Sequence, residues 1–220
     1  MVLPAVTTVK AAGYGRPMTG TRAPTVGEDR RAHLLAAADR VVQRDGSAAS
    51  MNLIAAEAGI TKPILYRHFG DKGGLYRALA ERHIDQLLGR LRAALTTRGG
   101  LRARTRATVD AYLASVEEQP QVYRFLMERA AVEEPGVRGQ VEGFVRRFGE
   151  ELAAGIRAEP ELGDIEPGRA LVWAHAIAGM VQATGDWWLD HPEVARAKVV
   201  DELTALLWDG FAGPARPRGS

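Results

Sequence analysis

No cysteine occurs in the 220 residues. That excludes disulfides, thiolate nucleophiles and cysteine-ligated zinc, and it fits a reducing cytosol. Long apolar runs are missing too: no stretch approaches the roughly 18 apolar residues of a membrane span. The start of the chain carries no apolar leader segment, so the expectation is a soluble, cytoplasmic protein with no membrane partner. β-Branched runs are scarce while alanine is abundant, which favours helix over strand. His33, His83, His175 and His191 are scattered without a ligand spacing such as HExxH, and no metal is assigned. Glu117-Glu118, Glu133-Glu134 and Glu150-Glu151 are adjacent pairs, not carboxylates sharing a helix face, and read as solvated edges. No strand precedes a Gly-rich loop. No catalytic residue and no cofactor follow from the sequence, and an enzyme reading has only an apolar bundle to stand on.

What is present is a charge asymmetry and a helical period. The net charge of +2 divides into 12 Lys/Arg against 7 Asp/Glu up to His83 and 17 against 20 beyond it. A basic first third suggests a polyanion-binding module joined to something else. Residues 1–27, rich in Pro, Gly, Thr and Ala, read as a disordered arm. Lys10, Arg16 and Arg22 in that arm suit phosphate or minor-groove contacts, or the arm does nothing. From Glu28, Leu34, Leu35, Ala38, Val41 and Val42 keep one helical face up to Gly46. About nine helices follow from the same periodicity, with no strand. One expected helix runs through "PQVYRFLMERAAVEEP", and the last two span about 167–190 and 192–211, with Pro192 in a first turn. Residues 212–220 read as a disordered tail.

The stretch "AGITKPILYRHFGDKGGLY" (58–76) carries the most chemistry. Ile54, Ala55 and Ala58 are small enough for a second helix to cross closely. Gly59 permits the left-handed conformation that ends one helix and begins a sharp turn. Thr61 then stands at the cap of the next helix, with Pro63 in its first turn. Leu65 and Phe69, four apart, point inward. The spacing is that of a helix-turn-helix at about 50–69, its second helix available to the major groove. Lys62 and Arg67 can donate to guanine or phosphate, Tyr66 and His68 to phosphate, and Ile64 or Pro63 can meet a thymine methyl. Ser50, Asn52 and Lys72 are placed for the DNA backbone. A helical hairpin with a merely solvated face is the alternative.

"SMNLIAAEAGITKPILYRHFGDKGGLYRAL" resembles the DNA-binding domain of the TetR family, tetracycline-repressor-like regulators. The frame "IA..AG", Thr-Lys-Pro and "LY.HF..K..L" runs in register over about 28–87. The resemblance implies an all-α protein: a three-helix DNA-binding domain at 28–87, then a ligand-binding and dimerisation bundle at 88–211. It puts recognition roles on Lys62, Pro63, Ile64, Tyr66, Arg67 and His68, and backbone contacts on Ser50, Thr61 and Lys72. It further implies a homodimer on a palindromic double-stranded operator, most simply a repressor released by a small effector. Two positions depart from the pattern. Ala49 stands where the family usually has a capping Thr, and Gly73-Gly74 soften the first turn of the fourth helix.

For the bundle, Tyr112, Tyr123, Phe125, Phe144, Phe148, Trp173, Gln182 and Trp187 are the candidate lining of an apolar effector pocket, with core or dimer interface as the alternative. The small face Ala170, Ala174 and Ala178, with Leu203, Leu206 and Leu207, is the candidate dimer interface. A constitutive DNA-binding protein whose bundle only dimerises, or an activator, remains open beside the repressor.

Overall fold

The computed structural model describes residues 26–210, and the regular elements among them are all helical, with no strand. Nine helices are found among them: α1 Val26–Asp45, α2 Met51–Glu57, α3 Lys62–Phe69, α4 Lys72–Leu95 and α5 Leu101–Glu118. α6 covers 120–133 in three joined pieces, α-helical Pro120–Arg124 and Ala131–Glu133 flanking a π-helical turn at Phe125–Ala130. α7 is Pro135–Arg157, α8 Pro167–Leu189 and α9 Arg196–Asp209. The arm expected before residue 28 begins its helix at Val26. Lys10, Arg16, Arg22, Phe211 and the tail lie outside the described residues.

Local chemistry sets most boundaries. Ser50 Oγ accepts from the Leu53 amide at 3.3 Å and caps α2, and Asp71 accepts from the Gly74 amide at 2.5 Å and caps α4. Gly59 and Gly70, at φ 66° and 80°, end α2 and α3 where an L side chain would be strained. Thr61 occupies the cap of α3, but its hydroxyl makes no capping bond, contrary to expectation. The last helix also starts later than Pro192 suggested. His191 to Ala195 form turns, held by the Trp188 indole donating to the Val194 carbonyl at 2.6 Å.

Packing divides into a head and a bundle that share a helix. The head core joins Leu34 and Val41 of α1, Ile54 of α2, Leu65 of α3 and Leu75 of α4. Val122, Phe125, Leu126 and Ala130 of α6 and Val137 of α7 belong to that same core. In the bundle, Leu113 of α5 meets Val181 and Trp188 of α8 and Val200 and Leu203 of α9. Ala170 and Ala174 of α8 pack on Ala153 and Ile156 of α7. The expected boundary at residue 87 falls inside α4, which runs unbroken from head to bundle.

Gly74 turns out to be required for space. A Cβ on Gly74 would collide with the Phe69 carbonyl, whereas one on Gly73 would meet the ends of the Glu134 and Arg77 side chains, which can swing aside. Gly74 lets α4 start hard against the end of α3.

Candidate DNA-binding surface and effector cavity

On α3, Leu65 and Phe69 are buried, which turns Lys62, Pro63, Arg67 and His68 to the surface. Ile64 and Tyr66 are half-buried. Tyr66 packs against the head core, with the Lys62 ammonium 5.6 Å from its ring centroid. It is therefore less available than an outward side chain, because its ring packs on the edge of the head core. Thr61 and Asn52 are exposed, and Ser50 is committed to its cap.

Lys72 is not idle at the surface. Its ammonium donates to Glu133 of α6 at 2.6 Å and lies 5.2 Å from the Tyr76 ring centroid. The Glu133 bond raises the Lys72 pKa, and the bonds from Lys72 and Arg129 hold the Glu133 carboxyl below the usual range. Arg129 also donates to the carbonyls of Ser47 and of Ala49, the latter at 3.1 Å. One arginine of α6 thus holds the connection leading into α2, and one glutamate of α6 holds the first residue of α4. Nothing in the local sequence signals these pairs, since the partners stand 61 or more residues apart.

Between α4, α5, α6, α7 and α8 lies a cavity of about 540 Å³. Its walls are mostly apolar: Leu87, Leu91, Val116, Leu126, Phe144, Phe148 and Ile177. Of the candidate pocket residues, Tyr112, Tyr123, Phe144, Phe148, Trp173 and Gln182 line it. Phe125 does not. It turns to the opposite side of α6 and packs edge-on against Tyr76 in the head core, ring centroids 4.9 Å apart. Trp187 does not either, being half-exposed and stacked on His191. Leu87, Leu91 and Leu95 of α4 also line the cavity, a wall that no candidate pocket residue anticipated.

The cavity's cations are already paired. Arg90 bridges to Glu118 at 2.7 Å, and Arg104 to Glu159. Of the lining tyrosines, Tyr123 donates to the exposed Asp186 outside the cavity at 2.6 Å, and the Tyr112 and Tyr123 hydroxyls are 3.1 Å apart. Burial pushes the Tyr112 phenol up to about 12, and burial also raises Tyr123, so both keep their protons near neutral pH.

The expected dimer face is largely consumed within the chain. Ala170 and Ala174 have no exposure, Ala178 and Leu207 line the cavity, and Leu203 is only 5% exposed against α5 and α8. Only Leu206 is a partly exposed member free of these roles. The open apolar face of α8 is a different one: Val172, 68% exposed, Leu171 and Trp187, with exposed Ala176, Gly179 and Ala183 between them. α8 is apolar nearly all round, so its period could not say which side meets α7.

Two family models match the chain: "Bacterial regulatory proteins, tetR family" over residues 34–79, and "Tetracyclin repressor-like, C-terminal domain" over residues 90–219. The HTH-type transcriptional activator FasR of Mycolicibacterium smegmatis is 32% identical over 209 residues, 93% of this chain and 94% of that one. A tetR-family regulator from Streptomyces coelicolor superposes with a TM-score of 0.70 at 24% identity, covering 84% of this chain and 81% of its own. The regulator FadR from Bacillus subtilis, solved in complex with stearoyl-CoA, gives 0.65 at 14% identity, covering 82% and 98%. At those identities the two structures speak for the fold alone.

Proposed function

Because the chain belongs to the TetR family and is thus a DNA-binding transcriptional regulator, we propose that it works as a homodimer whose operator affinity is set by a small, largely apolar effector. The observation that carries this is the double duty of α6. Val122, Tyr123, Leu126 and Met127 line the cavity, while Val122, Phe125, Leu126 and Ala130 belong to the core of the DNA-binding head. An occupant that displaces α6 must therefore disturb the head, and the two sites are linked in free energy. The recognition surface is Lys62, Pro63, Ile64, Tyr66, Arg67 and His68, with Ser50, Asn52, Thr61 and Lys72 flanking.

Dimerisation follows from reach: one recognition helix reads only a few base pairs, so useful affinity takes two half-sites. The face we assign to it is Val172, Ala176, Gly179, Ala183 and Trp187 of α8, supported by the exposure of that apolar stripe. A domain division near residue 87 serves as a convenient boundary, with α4 as the link. A long alkyl chain suits the cavity, because its walls are hydrocarbon and its arginines are already neutralised. That a structural neighbour was solved with stearoyl-CoA points the same way.

For the sign of regulation, repression by operator occupancy is the reading carried by the family pattern. Activation is the second reading, favoured by the name of the FasR relative. The test is genome-wide mapping of bound DNA, followed by mobility shifts with the recovered operator in the presence and absence of stearoyl-CoA and octadecanoic acid. A ligand that binds the protein and leaves operator affinity unchanged would reduce the bundle to a dimerisation device.

A further inference from the structure

Each phenol has one proton to give, and a carboxylate has none. The Asp186 carboxylate accepts the Tyr123 proton at 2.6 Å, so the Tyr123 hydroxyl can only accept from Tyr112, 3.1 Å away. The relay therefore runs one way, from Tyr112 through Tyr123 to Asp186. With its own proton spent, the Tyr112 oxygen offers the cavity lone pairs and no donor. Tyr112 is also held in place. A Cβ on Gly185 would come within 3.0 Å of its ring, so the ring is pressed against the backbone of α8. A second acceptor stands nearby: Gln119 also lines the cavity, and its Oε1 is buried without a partner. Gln119 caps the C-terminal end of α5, seven residues past Tyr112, or about 10 Å away by the helical rise.

We infer that the cavity selects an effector bearing a hydroxyl part-way along an apolar frame, the hydroxyl donating to Tyr112 Oη, and that Asp186 fixes this preference from outside the cavity. A ligand with a carbonyl at the same place meets an acceptor with an acceptor. A hydroxyl there exchanges its bond to water for one to Tyr112, whereas a bare methylene leaves the lone pairs of that oxygen without a donor. This rests on the cavity being the effector site.

The test uses the full-length protein and three kinds of probe: octadecanoic acid, its monohydroxy derivatives with the hydroxyl at successive chain positions, and the matching oxo acids. Binding is read by calorimetry. One hydroxyl position is expected to bind about 3–10-fold tighter than octadecanoic acid, with its oxo isomer gaining nothing. Asp186→Ala frees the Tyr123 proton and lets Tyr112 donate into the cavity, so the oxo acid should gain on its hydroxy partner. Asp186→Asn retains an accepting oxygen and should keep the original order, which separates the relay from any change at the surface. Tyr112→Phe should erase the discrimination. If hydroxy and oxo acids bind alike at every position while octadecanoic acid binds, the inference is overturned and the effector cavity stands. If no probe binds, octadecanoic acid included, the cavity reading for long-chain ligands falls and takes the inference with it.

Discussion

Consider Glu133→Gln. The Lys72–Glu133 pair is 2.6 Å long, and its two side chains are 41% and 37% exposed. A pair so open to solvent is worth up to about 1 kcal/mol. For Lys72 to reach a phosphate, operator DNA must first take it from Glu133, so the measured affinity carries that discount. Removing the carboxylate should raise operator affinity by up to about fivefold for each half-site engaged, 1.4 kcal/mol being tenfold. The gain should be shared by operator and unrelated DNA, because a phosphate contact carries no sequence information. Arg129 keeps its bonds to the Ser47 and Ala49 carbonyls, so the path into α2 stays anchored. The assay is fluorescence anisotropy with a labelled operator duplex over a range of salt. The same substitution made beside Lys72→Met closes a double-mutant cycle. In that background the gain should vanish. An equal gain with and without Lys72 would show that Glu133 acts only as a distant negative charge, and the competition would be refuted.

Other substitutions separate packing from recognition. Leu203→Arg places a charge in a site 5% exposed between α5, α8 and α9, and should cost more than about 3 kcal/mol in a thermal melt. Val172→Arg, on the open face of α8, should keep the helical circular dichroism and give monomers by sedimentation, with a melt lowered only by the loss of association; a stable dimer would move the interface elsewhere. Arg67→Ala should melt normally yet lose about 1–3 kcal/mol of operator binding if it reads a base. Unchanged affinity would remove Arg67 from the recognition set. Gly74→Ala forces a methyl into the Phe69 carbonyl, so both the melt and DNA binding should suffer, whereas a harmless Ala would mean the α3–α4 turn yields freely.

The helix-turn-helix was legible because its determinants are local: Ser50 and Asp71 cap, Gly59 and Gly70 break, and Leu65 and Phe69 share a face within one short helix. The bundle was less so. Ala170 and Ala174 looked like an interface because they are small, yet smallness serves equally for close approach to α7, and sequence does not name the partner. Phe125 and Tyr123 are two residues apart on α6 and face different cores. Residues two apart on a helix point to nearly opposite sides, but the pattern alone does not say that α6 lies with one side on the head and the other on the cavity. Lys72 read as a free cation because Glu133 is distant in sequence.

Sharing α6 between head and bundle also bears on how the chain is made. The helices α1 to α4 of the head are complete in sequence by Leu95, but the core beneath them still lacks Val122, Phe125, Ala130 and Val137. At about 5–20 residues per second, a ribosome needs roughly 2–8 s more to supply them. During that interval the nascent head holds an open apolar groove where α6 will lie, so a chain halted or cut near residue 95 should be a client for chaperones and proteases. The same dependence sets the smallest transplantable unit for building hybrid regulators. A junction after Val137 carries a closed head core, whereas one at the end of α4 carries an unfinished one.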